Sequence, residues 1–208
     1  MSSTITERSL AEIVRRVSEV DLEFVASVPD VQVSDITHDS RAVAPGCLFC
    51  CVRGLQRDGH EFASAAVERG AVALLVEHRL AGLERTPQVR ADDVRAAMGP
   101  VASEFFGRPS RHMTVVGITG TNGKTTTAHL LGSILDAATV STEVIGTLTG
   151  TLTTPEATDL QRSLADMRKS GTRAVVMEVS SHALALDRVL GTTYSLAIFT
   201  NQIGRAHV

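Results

Sequence analysis

The sequence has no tryptophan, and aromatic residues make up only 3% of its 208 positions. A hydrophobic core must therefore be built from valine, leucine, isoleucine and alanine. The hydrophobic content of 43% is sufficient for such a core. The length exceeds one typical domain but falls short of two large ones. We therefore expect a modest domain followed by a second, incomplete one.

Long apolar runs and an excess of basic charge are also missing. No run approaches the roughly 20 apolar residues that span a bilayer, and residues 1–7 lack the basic-then-apolar order of a signal peptide. The formal net charge is -3 and the pI is near 6.2, which argues against a broad nucleic-acid-binding surface. We expect a cytoplasmic protein with no membrane or nucleic-acid partner.

Cysteine is scarce and confined to one segment, at Cys47, Cys50 and Cys51. An odd number argues against a disulfide framework. The close spacing raises the possibility of a metal site. However, the apolar neighbours favour a buried strand, because free cysteine packs as a small hydrophobic residue.

A glycine-rich segment at residues 117–127, Gly-Ile-Thr-Gly-Thr-Asn-Gly-Lys-Thr-Thr-Thr, follows a β-branched apolar run and precedes a helical pattern. Its backbone N–H groups can converge on phosphate oxygens, Lys124 adds a positive charge, and Thr125 offers a hydroxyl to Mg²⁺. The match to the general phosphate-loop pattern is imperfect, because Ile118 stands where the first glycine belongs. A tight strand-to-helix turn explains the glycines but not Lys124 and Thr125. The segment therefore predicts a nucleoside triphosphate site.

Apolar spacing divides the chain into two α/β units. In the first it predicts helices at 6–20, 59–69 and 94–105 and strands at 31–33, 48–52 and 71–76. Gly99 and Pro100 predict a kink or a division of the last helix. The polar, proline-containing segment 107–112 predicts a domain boundary, with one domain at 1–111 and another at 112–208.

Strands in the second unit, predicted at 113–118, 143–145, 174–179 and 194–200, alternate with helices. This alternation indicates a parallel, doubly wound sheet. Ligands of such sheets bind at the carboxyl ends of the strands. The phosphate loop, Glu178 and Asn201 are therefore expected along one edge.

Three separated motifs resemble those of the Mur ligases of peptidoglycan synthesis. They are Gly-Thr-Asn-Gly-Lys-Thr-Thr at 120–126, Leu-Thr-Thr-Pro-Glu at 152–156, and Met-Glu-Val-Ser-Ser-His-Ala-Leu-Ala-Leu-Asp-Arg at 177–188. The resemblance implies a small N-terminal α/β uridine-binding domain, followed by an incomplete parallel-sheet P-loop ATPase domain. It also implies a full-length protein that is monomeric.

The resemblance further implies an ATP-dependent amide-bond ligase. ATP would phosphorylate the free D-glutamate carboxylate of UDP-N-acetylmuramoyl-L-alanyl-D-glutamate, and a diamino acid, meso-diaminopimelate or L-lysine, would attack the acyl phosphate. This agrees with elementary chemistry, because a carboxylate is a poor electrophile until one oxygen becomes part of a phosphate leaving group.

By the same resemblance, ATP would bind a run of seven residues, and two of the site's residues would be catalytic. The ATP-binding residues are Gly120, Thr121, Asn122, Gly123, Lys124, Thr125 and Thr126. Lys124 would neutralise charge on the transferring phosphoryl group. Thr125 and Glu178 would hold Mg²⁺, a hard cation that prefers oxygen ligands, and Lys124 and Glu178 would be the catalytic pair.

The resemblance also assigns substrate contacts, which are Ser40, Leu55, Gln56, Arg57, Thr153, Thr154, Ser180 and Arg188. The first four would bind the uridine end, although ordinary turn chemistry also explains these residue types. Thr153 and Thr154 would hold the muramoyl part. Arg188 is either a guanidinium fork for an anionic group or a solvated helix charge. His182 is not assigned as a base, because adjacent Ser and His do not form a nucleophile and base.

Departures from the family pattern are Leu186 in place of a polar contact, the short segment 147–152, and the residues after Asn201. We expect 203–208 to be non-native sequence, the central domain to be truncated, and the chain to be inactive alone.

Two other interpretations stay open at this point. One is the sister ligase that adds D-alanyl-D-alanine, and the other is a non-catalytic fragment that binds a nucleotide sugar.

Overall fold

The computed structural model describes residues 7–25, 29–54, 57–150 and 152–202. The chain forms two compact units, Met1–Phe105 and Phe106–Val208. The domain division after residue 111 stays a prediction. The segment 203–208, expected to be non-native, lies outside the described residues.

The first unit is built on a five-stranded sheet with the order β2-β7-β6-β5-β4. Strands β4 to β7 are parallel, β2 is antiparallel to β7, and β1 pairs separately with β3. The elements are β1 (Arg8–Ser9), α1 (Leu10–Arg16), β2 (Glu23–Phe24), β3 (Gln32–Val33), β4 (Asp35–Thr37), β5 (Cys47–Cys50), a 3₁₀ helix (Gly59–Phe62), α2 (Ala63–Glu68), β6 (Ala73–Val76), β7 (Gln88–Arg90) and α3 (Val94–Phe105).

The cysteine segment forms one of the central strands, as the sequence predicted. Every residue of β5 and β6 is buried, which suits short apolar runs in a parallel sheet. Cys51, directly after β5, is also fully buried, and burial raises the pKa of its thiol to about 12. Burial also raises the pKa of the Cys50 thiol, so both thiols stay protonated and pack as hydrophobic groups.

One helix of the first unit is shorter than predicted, and another is continuous where a kink or a division was predicted. The helix expected at 6–20 is only α1, because Ser9 caps it by accepting from the Glu12 N–H at 3.1 Å, and Val17 has left helical geometry. Helix α3 is not divided at Pro100. A proline removes one backbone donor, and the burial of Met98 and Val101 offsets that loss.

The second unit is a four-stranded, fully parallel sheet with the order β11-β8-β10-β9. This confirms the predicted parallel sheet. Its elements are a 3₁₀ helix (Pro109–His112), β8 (Thr114–Thr119), α4 (Lys124–Ala137), β9 (Thr142–Ile145), α5 (Ala157–Lys169), β10 (Ala174–Glu178), α6 (Ser181–Ala185) and β11 (Leu196–Phe199). Across the described ranges, no helix has both the length and the apolarity to cross a membrane.

The packing of this sheet determines where the polar loops lie. Strand β10 is buried throughout and pairs with β8 on one side and β9 on the other. Helix α5 contributes buried Leu160 and Leu164 to one apolar cluster, while Ala128 of α4 belongs to another. Because all four strands run parallel, the residues that follow β8, β9, β10 and β11 meet at one edge.

Candidate nucleotide and substrate site

The loop between β8 and α4 needs glycine at two positions for reasons of backbone geometry. Gly120 has a φ of 135°, and a Cβ there would lie 2.2 Å from the Thr200 Oγ1. Gly123 has a φ of 84° and precedes the first residue of α4. Both values favour glycine. Gly117 has a packing reason instead, since a Cβ there would lie 2.8 Å from the Tyr194 ring.

The residues after β11 hold this loop in place. The Thr121 N–H donates to the Asn201 carbonyl at 2.9 Å, and the Asn122 N–H donates to the Asn201 Oδ1 at 3.1 Å. Thr200 Oγ1 donates to the Asn122 carbonyl at 2.6 Å. Asn201 is therefore at the predicted edge, where it braces the phosphate loop. The matching role of Thr200 was missed.

Lys124 lies over the loop that precedes it. Its Nζ donates to the carbonyl oxygens of Gly120 at 2.7 Å and Thr121 at 3.2 Å. The first N–H groups of α4, including those of Thr125 and Thr126, have no partner in the preceding turn because of helix geometry. Together with the helix dipole, these donors and the ammonium group form an anion site.

Glu178 ends β10 beside the start of α4, and it is 1% exposed. Its Oε2 accepts from Thr125 Oγ1 at 2.9 Å, and its Oε1 accepts from the Thr147 N–H at 2.9 Å. Gly146 permits this approach, since a Cβ there would lie 2.1 Å from Oε1. The arrangement fits a hard cation, because a hydroxyl that donates its proton and a carboxylate both retain oxygen lone pairs.

The two predicted substrate threonines have different surroundings. Thr154 is buried, and its Oγ1 donates to the Glu178 carbonyl at 2.9 Å and accepts from the Ser180 N–H at 3.1 Å. Thr153 is only partly buried, and its Oγ1 lies 3.0 Å from Thr147 Oγ1. Ser180 caps α6 by accepting from the Ala183 N–H at 3.1 Å. Thr154 thus braces the edge, whereas Thr153 lies closer to solvent.

Arg188 is not a solvated helix charge. Its side chain is 11% exposed and forms an ion pair with Glu156, with an Nη2 to Oε1 distance of 2.6 Å. Its Nη1 also lies 3.4 Å from the Thr154 carbonyl oxygen. Glu156 precedes α5 and is itself largely buried. The pair fixes the guanidinium group beside the threonine segment.

The first unit contains a separate cleft of about 260 Å³. Its walls include Ser40 and Arg57, two of the predicted uridine contacts, together with Phe49 and Phe62. The other two predicted contacts, Leu55 and Gln56, lie outside the described residues. The structure therefore brings Ser40 and Arg57 to one cleft.

Charged side chains fix the turn that carries Ser40. The Arg41 guanidinium donates to both oxygens of Asp39, at 2.8 and 3.0 Å, and this hydrogen bonding lowers the pKa of the Asp39 carboxyl to about 2. Arg69 Nη1 donates to the Ser40 carbonyl. The guanidinium group of Arg57, another lining residue, lies 5.9 Å from the centre of the Phe62 ring.

A buried histidine, His60, lies between the cleft residues Gly59 and Phe62 in the sequence. His60 Nδ1 is paired with Asp58, and His60 Nε2 lies 3.0 Å from the Glu77 nitrogen. Because the Glu77 N–H must donate to Nε2, the imidazole proton lies on Nδ1. Arg53 contacts Glu77 at 2.7 Å and Asp58 at 3.5 Å. The Asp-Gly-His sequence at 58–60 was a usable signal for this network.

Two family profiles match the chain. The profile described as "Mur ligase family, catalytic domain" matches residues 32–106, and the one described as "Mur ligase middle domain" matches residues 118–208. The chain belongs to the Mur ligase family. Mur ligases are ATP-dependent enzymes, which agrees with the anion site at the start of α4.

Similar proteins are known from sequence and structure. This Mur ligase chain is 44% identical over 204 residues to the UDP-N-acetylmuramoyl-L-alanyl-D-glutamate--2,6-diaminopimelate ligase of Chlorobium phaeobacteroides, with 93% of this chain and 40% of that protein covered. A solved structure of a ligase with the same name has a TM-score of 0.79 and 28% identity, and covers 98% of this chain and 42% of its own.

A third similar protein was solved with a bound nucleotide. The MurF ligase from Thermotoga maritima, solved in complex with ADP, has a TM-score of 0.62 and 26% identity, and covers 83% of this chain and 38% of its own. The Mur ligase chain therefore spans about two fifths of the length of the relatives it matches.

The predicted residues of the second unit thus gather at one edge of this Mur ligase sheet. The edge holds the loop 120–126, Glu178, Thr153, Thr154 and Ser180, with Arg188 attached through Thr154 and Glu156. Three other residues at this edge, Gly146, Thr147 and Thr200, were not predicted from the sequence. The first two follow β9 directly, so the rule that places ligands after parallel strands could have found them.

Proposed function

We propose that this chain forms the nucleotide-sugar-binding and ATP-binding parts of a ligase that adds a diamino acid to UDP-N-acetylmuramoyl-L-alanyl-D-glutamate. The observation that carries the proposal is the contact of 2.9 Å between Thr125 Oγ1 and the buried Glu178, directly beside the phosphate loop. The names of similar relatives support this substrate class.

In this proposal the loop and the start of α4 bind the β- and γ-phosphates of ATP. Lys124 leaves the carbonyl oxygens of Gly120 and Thr121, which hold it at 2.7 and 3.2 Å, and turns its ammonium group toward the γ-phosphoryl oxygens. Charge on the phosphoryl group grows during transfer, so a fixed cation there lowers the barrier.

The chemistry follows from the need to activate a carboxylate. A D-glutamate carboxylate oxygen attacks the γ-phosphorus, and the bond from phosphorus to the ADP oxygen breaks. The amine of the diamino acid then attacks the acyl carbon, loses a proton, and expels phosphate. The residues of this chain bind and orient ATP and the UDP-sugar dipeptide.

Magnesium would be held by Thr125 and Glu178. Both supply oxygen, the ligand type that this cation prefers, and both lie beside the phosphate loop. When bound, the cation would neutralise negative charge on the β- and γ-phosphate oxygens. The burial of Glu178 supports this assignment, because a buried carboxylate gains from a charged partner.

Substrate binding at the second unit would use Thr153 and Arg188. Thr153 has a hydroxyl close to solvent and 3.0 Å from Thr147, so it is the candidate for the muramoyl contact. Thr154 and Ser180 would act by positioning, since both hydroxyls already have partners. The largely buried pair of Arg188 and Glu156 would present the guanidinium group to an anionic part of the substrate.

The cleft of the first unit would bind the uridine end of the substrate, and this can be tested on the 208-residue chain. We expect Arg57→Ala to weaken binding of UDP-N-acetylmuramoyl-L-alanyl-D-glutamate by about tenfold, the usual scale for losing one charged contact. Isothermal titration calorimetry measures this. Arg85→Ala, which changes an exposed arginine of the same unit away from the cleft lining, should bind as the unchanged chain does. Equal affinities for both variants would show that Arg57 does not contact the substrate.

Two other functions are weaker candidates. The D-alanyl-D-alanine-adding ligase shares the fold, as the MurF comparison indicates, but it would take the UDP-tripeptide instead of the dipeptide. A non-catalytic nucleotide-sugar binder would not need the Thr125 and Glu178 pair.

Because the relatives are named for 2,6-diaminopimelate, that diamino acid is our first candidate and L-lysine the second. We place the ligase, acting as a monomer, in the cytoplasm.

A chimeric enzyme tests the proposed function. Residues 7–201 of this chain would replace the matched part of the Chlorobium phaeobacteroides ligase, whose remaining sequence completes the enzyme. We expect amino-acid-dependent formation of UDP-tripeptide from the UDP-dipeptide, detected by mass spectrometry. The 208-residue chain alone should form none, because it spans about two fifths of its relatives. A folded chimera that accepts only the UDP-tripeptide would favour the sister ligase.

A further inference from the structure

Thr147 contacts both the candidate cation ligand and the candidate substrate ligand. Its N–H donates to Glu178 Oε1 at 2.9 Å, its Oγ1 lies 3.5 Å from Glu178 Oε2, and the same Oγ1 lies 3.0 Å from Thr153 Oγ1. We propose that Thr147 is a positioning residue that couples cation binding at Glu178 to substrate binding at Thr153. This inference rests on the proposed function.

The backbone around Thr147 is fixed independently of its hydroxyl. The turn after β9 is closed by Thr149, whose Oγ1 accepts from the Gly146 N–H at 2.9 Å and donates to the Gly146 carbonyl at 3.1 Å. The absence of a side chain at Gly146 lets Glu178 approach. The Thr147 N–H therefore holds Oε1 in place, while the hydroxyl is available to act on Oε2.

The coupling arises because the hydroxyl of Thr147 has two possible acceptors but only one proton. A threonine hydroxyl has one proton to donate, so Thr147 can donate either to Glu178 Oε2 or to Thr153. When a substrate oxygen accepts the Thr153 proton, the Thr153 oxygen can accept the proton of Thr147. The lone pair of Oε2 that faced Thr147 is then open to a cation.

The same exchange operates in the opposite direction. With Glu178 Oε2 occupied by a cation, the Thr147 hydroxyl would donate to Thr153, and Thr153 would donate its own proton to the substrate. Coupling between two ligands is reciprocal by thermodynamic necessity, and its usual size is 5-fold to 150-fold in affinity. The Thr147 contact to Oε2 is long, so we expect the low end of this range.

The variant Thr147→Val separates this role from a structural one. Valine has nearly the same shape as threonine and keeps the backbone N–H, but it cannot bridge the two oxygens. Thr147 is exposed, so the change should leave the fold intact. Thr147→Ser keeps a hydroxyl and should restore the coupling. Thr114→Val, at the exposed amino end of β8, is the matched control.

The experiment measures the Mg²⁺ concentration that gives half-maximal binding of a fluorescent ATP analogue to the 208-residue chain. We expect saturating UDP-N-acetylmuramoyl-L-alanyl-D-glutamate to lower this concentration about fivefold in the unchanged chain, in Thr147→Ser and in Thr114→Val. In Thr147→Val the substrate should have no effect.

Three results would contradict parts of this account, and they are distinguishable. If the unchanged chain shows no effect of substrate on Mg²⁺, or if Thr147→Val keeps the full effect, the coupling role is wrong while the proposed function stands. If the folded chain binds neither the ATP analogue nor the UDP-dipeptide, the proposed function fails and this inference fails with it.

Discussion

Replacing Lys124 with methionine is expected to weaken binding of ATP to this chain about a hundredfold, equivalent to about 3 kcal/mol. The ammonium group lies over the phosphate loop, where it donates to the carbonyl oxygens of Gly120 and Thr121, and from there it would turn toward the phosphate oxygens. Methionine fills similar space without the charge. A fluorescent ATP analogue titrated into the 208-residue chain measures the loss.

The control for this variant is the other lysine of the chain. Lys169 is 67% exposed, and its nearest acid, Asp166, lies 3.8 Å away, an arrangement that contributes little at a surface. Lys169→Met should therefore bind ATP as the unchanged chain does. If Lys124→Met binds within about threefold of that control, below 1 kcal/mol, the loop is not the triphosphate site.

Replacing Glu178 with glutamine is expected to abolish the dependence of nucleotide binding on Mg²⁺. Glutamine keeps the size of the side chain, and its amide can accept from the Thr147 N–H and donate to Thr125 Oγ1, so the hydrogen bonds at 2.9 Å can be replaced. The negative charge that binds a cation is lost. The affinity in Mg²⁺ should then equal the affinity in EDTA.

A control carboxylate shows whether the loss of Mg²⁺ dependence is specific to Glu178. Glu143 is exposed on β9, three positions before Gly146, and Glu143→Gln should retain the full Mg²⁺ dependence. Thermal unfolding should show that both variants are folded. A Glu178→Gln chain that still gains affinity on addition of Mg²⁺ would exclude Glu178 as a cation ligand.

The parallel sheet and its active edge could be predicted because they depend on local patterns. Apolar runs such as β8 and β10 alternate with helical spacing, and their order along the chain implies parallel pairing. Once the strands are parallel, Glu178 and the loop 120–123 must share an edge. The buried cysteine strand was predictable for the same reason.

Other features depend on contacts between residues far apart in sequence. Arg188 and Glu156 form an ion pair across 32 positions, and nothing local marks either residue as a partner of the other. The bracing of Asn122 by Asn201 joins positions 79 apart. The helix through Pro100 likewise depends on buried surroundings, which outweigh local propensity.

The three glycines around the phosphate loop are required for different reasons. The three glycines at 117, 120 and 123 were interpreted together as a phosphate loop, but only Gly120 and Gly123 have left-handed or strained backbone angles there. Gly117 makes room for Tyr194. Gly117 is therefore required by packing, whereas Gly120 and Gly123 are required by the backbone conformation of the loop.

We propose above that this chain supplies the ATP site of an enzyme that works through an acyl phosphate. The most direct test uses the chimeric ligase and a substrate whose D-glutamate side-chain carboxylate carries ¹⁸O in both oxygens. Mass spectrometry of the released phosphate measures the transfer. We expect one ¹⁸O atom in phosphate for each UDP-tripeptide formed, with the other retained in the new amide carbonyl. UDP-tripeptide formation with unlabelled phosphate would contradict it.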